Sequence, residues 1–485
     1  MPVVEHRTDL FETTQTRRFL ADCQQQAIRA KHDKIASLTF LLPPVAPWVV
    51  LATLGNIRQR HFYYDPPQPK AVVGLGVTIG YSASGRERFG KAQTFIQSWQ
   101  DRFLYAVPVV SPALLPLDFL PDIDRGRFFC SATFFENAPT AVTNPSRDAT
   151  AFEPIHVFVP DAQVTTRSQL SAVTFNCLMT ATANIDDITE SIYWRLQQLR
   201  SAAPVRRISA AYRGRRSIAK DVANFEGAVT AALQQIYAKK LHKVVLADVM
   251  DVVMPQPVDV VRSLKTLRQN HPDCTVFSVG NGKGQSFIGA SPERLLSIAN
   301  GELMTDALAG SASRSRNRGI DRQLAQSLLH SKKERYEHRV VVEFILERLR
   351  SLGLNPRHAP APQLLQLLHI QHLHTPIRAA LSQHLQPLDI LASLHPTPAV
   401  AGLPLQAACQ FIHQQERFDR GLYTAPLGWI DTDGNSEFIV GIRSALIDGC
   451  KARLYAGAGV VAGSEPAKEL AEIKLKLQTL LNALV

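Results

Sequence analysis

The chain has 485 residues, 45% hydrophobic and 20% charged, a composition that excludes an intrinsically disordered protein. It is long enough for one very large core or for two to three ordinary domains. The 53 Lys+Arg against 42 Asp+Glu leave a formal net charge of +11, which suits nucleic acid, anionic metabolites or solubility alone and excludes none of them.

From the N-terminus, MPVVEHRTDLFETTQ carries acidic and polar residues where a signal peptide needs a basic start and an apolar stretch. No apolar run of about 18 residues follows, so no membrane span is expected. Six cysteines, Cys23, Cys130, Cys177, Cys274, Cys409 and Cys450, stand far apart without a CxxC pair, which reads as buried thiols in a reducing compartment rather than a zinc site. The expectation is a cytoplasmic protein.

The first half has short apolar runs cut by proline, such as FLLPPVAPWVVLATLG and YAVPVVSPALLPLDFLP, and these suit strands and loops better than long helices. Strands are expected near Lys70–Ile79, Arg127–Phe135 and Pro154–Val159, with a helix near Arg86–Leu104. The basic stretch RSAAPVRRISAAYRGRR, from Arg200 to Arg216, reads as a linker. It lacks the interleaved aromatic residues of a single-strand nucleic-acid contact.

Beyond it, Phe225, Val229, Leu233 and Ile236 recur at helical spacing and lead into the strand-like KVVLADVMDVVM. Two strands, CTVFSVG and QSFIGA, come next. Asn300-Gly301 and Asp448-Gly449 each mark a tight hairpin, so the pattern favours antiparallel sheet. One helix is expected at roughly Gln323–Leu349, with Val342, Ile345, Leu346 and Leu349 on its apolar stripe and Glu334 and Glu337 off it. A last helix starts near Ser464-Glu465-Pro466 and buries Leu470, Ile473, Leu477, Leu480 and Leu481, leaving Glu469, Glu472 and Lys476 on other faces.

Two helices with Glu-x-x-Glu pairs and no His or Cys cluster suit a hard, oxygen-seeking ion such as Mg²⁺; taken alone, each pair describes a solvated helix face far more readily than a metal site. Arg443 lies in EFIVGIRSALI, which reads as one apolar strand covered on both faces, and there it needs an anionic partner, either a bound carboxylate or an internal Asp or Glu. Lys243 opens KVVLA, where burial can turn a lysine into a general base or where it merely caps the sheet. GNGKGQS and GLGVTIG lack the spacing of phosphate or dinucleotide loops and read as turn or strand glycines, whereas those of YAGAGVV leave room for a ligand or for packing.

Taken in order, KVVLA, GASPERLL, ALAGSASR, KKERYEH, LHPTPAVAG, RGLYTAPLGW, IVGIR, YAGAGVV and EPAKELAEIKLKL resemble the chorismate-utilising enzymes over residues 217–485. Residues 1–216 match that family's variable N-terminal part only loosely. The resemblance implies an α+β fold of two stacked, largely antiparallel sheets with helices outside, residues 1–216 completing the unit that residues 217–485 begin. It also implies a chorismate substrate, no nucleic acid, no membrane and a monomer. Lys243 and the Ser311 of LAGSASR point, within the family, to the isochorismate synthases, isomerases whose product feeds menaquinone, phylloquinone or siderophore synthesis. The alternative is a salicylate synthase, which also eliminates pyruvate; a non-catalytic basic binding protein is the reading from another class.

By the same resemblance Lys243 activates water for attack at ring carbon 2 and Glu293 protonates the hydroxyl leaving carbon 4, which requires a raised Glu293 pKa. Glu337 and Glu472 ligate Mg²⁺ with Glu334 and Glu469 on its waters. Arg443, Tyr423, Lys476, Gly457 and Gly459 take the enolpyruvyl carboxylate; Ala309, Gly310 and His395 complete the substrate contacts. One departure is Asp248, where many relatives carry arginine, and it leaves the ion pairing around Lys243 open.

Overall fold

The computed structural model describes residues 5–56, 58–68, 70–106, 126–137, 151–202, 217–220, 224–368, 370–382 and 384–484. The proline-rich run from residue 107 on and the basic linker from residue 203 on lie outside the described residues.

Among these residues, two sheets of 13 and 10 strands, antiparallel except where Lys34–Leu42 pairs with Phe103–Tyr105, face each other with helices on their outer surfaces. Both are joined from the two halves of the chain. In the larger sheet Thr275–Asn281 pairs with Arg60–Asp65, and in the smaller Pro426–Asp431 pairs with Arg127–Ala132. The inner faces meet in an aromatic layer in which the Phe62 and Phe129 rings lie 5.0 Å apart and Phe129 and Phe158 5.7 Å apart.

The hairpins signalled by glycine are present. Asn300 and Gly301 both take positive φ between Arg294–Ala299 and Glu302–Ser313, and Gly449 does so between Ser444–Asp448 and Lys451–Val461. Helices Phe225–Tyr237 and Pro466–Leu481 and strand Lys243–Val253 follow the expected order.

Four expectations are corrected. The single helix across Gln323–Leu349 is two, Arg318–His330 and Lys332–Ser351, because Ser331 is extended (ψ 118°) and its hydroxyl caps the second by accepting from the Glu334 amide. The apolar run EFIVGIRSALI is not one strand: Ser436–Val440 belongs to the smaller sheet and Ser444–Asp448 to the larger. Gly441 lets the chain cross, since a Cβ there would stand 2.5 Å from the Leu422 carbonyl oxygen. Lys70–Ile79 likewise divides into Ala71–Leu75 and Ile79–Ala83 on different sheets. Last, the first half holds long helices, Glu5–Ala30 and Ile185–Ser201, the second opened by the Asn184 side chain accepting from the Asp186 and Asp187 amides.

Candidate active site

A pocket opens between Lys243–Val253 and Lys451–Val461 of the larger sheet and Glu302–Ser313 of the smaller. The fold carries side chains into it at points where the chain passes from one sheet to the other. At one crossing, Pro292-Glu293 links Gln285–Ser291 to Arg294–Ala299; at another, Gly441-Ile442-Arg443 links Ser436–Val440 to Ser444–Asp448. Glu293 is 5% exposed and anchored through its backbone, its amide donating to Ser291 Oγ and its carbonyl accepting from the Val440 amide. Burial pushes its carboxyl up to about 8, with Lys243 opposing and Asp306 assisting. A proton-retaining carboxyl is what a general acid at neutral pH requires.

Arg443 takes a left-handed backbone, φ 50°, uncommon for a side-chain-bearing residue. Its guanidinium donates to Cys274 Sγ at 3.8 Å and lies 3.1 Å from His372 Nε2, and no carboxylate among the described residues pairs with it. Of the two partners open to it from sequence, the internal Asp or Glu is not there, and the guanidinium is left facing a pocket.

The wall opposite is built from the two Glu-x-x-Glu helices. Glu334, Glu337, Glu469 and Glu472 all reach the pocket, so Glu469 and Glu472 do not sit on a solvated face; Glu469 is 6% exposed. Burial raises the Glu334 carboxyl with Glu337 assisting, and burial raises that of Glu469 against the pull of Lys333. Burial also works to raise Glu472, but Lys476 and Lys333 outweigh it and hold that carboxyl below its ordinary value. Lysines stand among these carboxylates: Lys333 Nζ lies 3.2 Å from Glu469 Oε1 and 3.9 Å from Glu334 Oε1, and Lys476 Nζ lies 2.7 Å from Glu472 Oε1 while donating to the Gly457 carbonyl.

Among the described residues these groups do not close into a ready metal shell as they stand. The donor set nonetheless fits a hard divalent ion. It is all oxygen, and two of its carboxyls are raised by burial and neighbouring carboxylates, a cost a cation would relieve.

Lys243, 1% exposed, does not line the pocket itself. Its ammonium lies just behind the wall, 2.8 Å from Glu337 Oε1. Glycine makes that approach possible, because a Cβ on Gly459 would stand 2.6 Å from Glu337 Oε1 and one on Gly457 2.8 Å from Tyr423 Oη. Gly310 forms a bulge in Glu302–Ser313 at φ 76°, which turns the Ser311 amide to donate to Glu334 Oε2. Ala309 lines the pocket beside it. Asp248 falls on the opposite face of the strand from Lys243, Val245 and Ala247, and its carboxylate accepts from the Val249 amide.

His395 is placed elsewhere. It is packed edge-on against Phe89 and Phe134 at the end of helix Pro387–Leu394 and lines a different cavity. The histidine in the pocket is His372, bonded to Ser311 Oγ at 2.9 Å and facing Arg443, and burial with Arg443 beside it holds it neutral. Sequence reasoning passed it over, although strand Ile370–Ala380 carries it at an inward position opposite Ser311. Arg420 was also passed over. Fully buried, it grips both Glu416 oxygens and donates to the carbonyls of Val245 and Val400 and to Thr424 Oγ1, three residues of the pocket wall.

Residues 19–485 match the family model described as chorismate binding enzyme. The chain is 33% identical over 454 residues to a protein of Pseudomonas aeruginosa named salicylate biosynthesis isochorismate synthase, covering 93% of this chain and 90% of that one. It is 39% identical over 257 residues to the isochorismate synthase MenF of Bacillus subtilis, covering 53% and 54%. Among solved structures it resembles the menaquinone-specific isochorismate synthase MenF of Escherichia coli, with TM-score 0.73, 25% identity and 95% and 99% coverage. It shares the fold of an anthranilate synthase component I of Streptococcus pneumoniae, with TM-score 0.65 and 18% identity over 85% and 92%. A family match across nearly the whole length, on a fold that gathers the residues of nine motifs around one pocket or behind its wall, makes this chain a member of the chorismate-binding enzymes.

Proposed function

We propose that the protein is an isochorismate synthase: it adds water at ring carbon 2 of chorismate and expels the carbon 4 hydroxyl as water. The observation that carries this reading is the pairing of an almost fully buried lysine, Lys243, with a buried carboxyl, Glu293, that retains its proton up to about 8. Base and acid in one site need opposite protonation states at one pH, and each such group typically contributes roughly 10²–10⁴-fold.

In this reading Lys243, once its ammonium has given up a proton and left its pairing with Glu337, acts as the free amine. It takes a proton from water as the water oxygen bonds to carbon 2, the ring double bonds shift, and Glu293 gives its proton to the hydroxyl that departs from carbon 4 as water. Arg443, with no carboxylate partner among the described residues, receives a substrate carboxylate, and His372, held by Ser311, keeps its ring turned toward that guanidinium. Tyr423, its phenol pushed up by burial, stays a neutral donor near Gly457. Glu337 and Glu472 would hold Mg²⁺ with Glu334 and Glu469 behind them, and the ion would clamp the ring carboxylate and neutralise charge there.

The names of the relatives support the reaction, and the one from P. aeruginosa joins it to salicylate formation. Incubating the purified protein with chorismate and Mg²⁺, with and without chelator and beside a Lys243→Met variant, tests the proposal by product chromatography. Metal-dependent isochorismate, lost in the variant, is the expected result. Salicylate with pyruvate would move the assignment to a salicylate synthase, and intact chorismate under every condition would overturn the reading.

A further inference from the structure

A second cavity, of about 670 Å³, lies between helices Arg88–Gln100, Pro387–Leu394 and Leu405–Gln415, and its lining shares no residue with the reaction pocket. That volume falls within the roughly 300–1,000 Å³ typical of small-molecule sites. We propose that it binds a small hydroxylated aromatic carboxylate and that occupancy is transmitted to the reaction pocket through Phe134 and Arg420.

The ligand class follows from the walls. Arg88, 5% exposed, stacks over Phe89 at 5.0 Å and donates from one terminal nitrogen to the Thr133 carbonyl. Its Nε has no hydrogen-bond partner, and Glu136, which lines the same cavity, acts on it electrostatically without closing into an ion pair. A buried guanidinium with an unbonded Nε beside a cavity calls for an anion with planar fork geometry. Its neighbour Arg86 is already turned to Glu136 at 3.6 Å.

His395 supplies the second handle. Its ring is bonded to the Phe134 backbone, its Nε2 has no partner, and burial keeps it neutral, with a value near 3. A ring that donates to a carbonyl through one nitrogen offers a lone pair at the other, which accepts from a hydroxyl. Phe89, Phe134 and Phe135 present the rings between which an aromatic ligand packs.

Transmission has a short route. The Phe134 ring lies 4.5 Å from the Arg420 guanidinium, and Arg420 holds Val245, Val400 and Thr424 of the reaction pocket. A ligand pressed against Phe134 therefore bears on a side chain that bonds three pieces of that wall.

Isothermal titration of the full chain with 2-hydroxybenzoate tests the site, using the wild-type protein and the Arg88→Met, Cys409→Trp and Arg443→Ala variants. Cys409 lines the cavity, so tryptophan fills it without altering charge. One saturable site is expected, weakened at least about tenfold by Arg88→Met and by Cys409→Trp and unchanged in Arg443→Ala. Benzoate, lacking the hydroxyl, is expected to bind several-fold more weakly. Absence of binding at millimolar probe, retention in Cys409→Trp, or loss in Arg443→Ala would overturn the site. These calorimetric outcomes do not depend on which reaction the protein performs. Saturating probe should change the KM for chorismate at least twofold in the wild-type protein and not in Cys409→Trp; binding with an unaltered KM would overturn the transmission.

Discussion

Between the sheets, the end joined by Arg60–Asp65 and Arg127–Ala132 is filled by Phe62, Phe129 and Phe158, whereas the end built from Lys243–Val253 and Lys451–Val461 is kept open by Gly457 and Gly459 and lined with charge. The two ends are continuous. Phe277, Phe287, Tyr455 and Tyr423 run from one to the other in ring contact, and the last of them brings its hydroxyl to Gly457. One end gives up apolar burial to hold ionisable groups that are costly to desolvate, and the other supplies the packing that offsets that cost. Stability and chemistry are thus assigned to different ends of one space.

The sharpest way to break that division is to truncate one residue at each end. Lys243→Met should lower turnover by roughly 10²–10⁴-fold at a stability cost below about 3 kcal/mol, because the desolvation cost of the ammonium goes with it while Glu337, left without its cation, faces the pocket. Phe129→Ala, fully buried in the aromatic layer, should cost about 3–5 kcal/mol of stability and leave KM within about twofold at temperatures where the protein stays folded. Denaturant titration and steady-state kinetics on both variants decide the matter. A Phe129 variant that loses KM, or a Lys243 variant that unfolds, would merge the two ends.

Much of the C-terminal end was legible in the sequence, because hairpin glycines and helical stripes are local signals. Asn300-Gly301, Asp448-Gly449 and Ser464-Glu465-Pro466 fix turns and a helix start whatever surrounds them. What escaped was set by distant contacts. EFIVGIRSALI reads as one strand until the Leu422 carbonyl is seen to demand glycine at 441, and Arg443 is delivered to the pocket by that break. His372 and His395 are indistinguishable as isolated histidines; only the pairing of Ile370–Ala380 with Glu302–Ser313 turns the first toward Ser311. The polar helix Glu5–Ala30 offers a narrow buried stripe, Leu20, Cys23 and Ala27, too sparse to outweigh its charged neighbours.

Glu293 allows the same division to be tested within one side chain. Its ordinary value is 4.5 and its folded value about 8. The unfolded chain therefore releases this proton first, and stability falls with rising pH between about 4.5 and about 8, with no further change from this group above that. Glu293→Gln should flatten that part of the profile, melting at or above the wild-type temperature at pH 8 while turning over at least about 10²-fold more slowly. In the wild-type protein, kcat should decline as pH rises through about 8, when the acid is lost. Melting curves and kcat profiles from pH 5.5 to 9 give both readings; a variant less stable than wild type at pH 8 would remove the functional meaning of the buried acid.

The smallest expected effect comes from one methyl group placed at each end. A Cβ on Gly459 would stand 2.6 Å from Glu337 Oε1 and 3.3 Å from Lys243 Cε, so Gly459→Ala must push Glu337 off its pairing with Lys243. The far end of a glutamate yields easily, so stability should change by less than about 1 kcal/mol while activity drops at least about tenfold. A Cβ on Gly74 would stand 2.5 Å from Phe129 Cε2, and that ring is wedged between Phe62 and Phe158. Gly74→Ala should therefore cost about 1–3 kcal/mol of stability and leave activity untouched, since the strain is confined to the aromatic layer. The same substitution on the inner face of one sheet then separates a residue whose neighbour performs chemistry from one whose neighbour only packs. Opposite outcomes in melting and turnover are the signature to look for, and parallel losses in the two variants would show that the aromatic run from Phe277 to Tyr423 couples the ends rigidly.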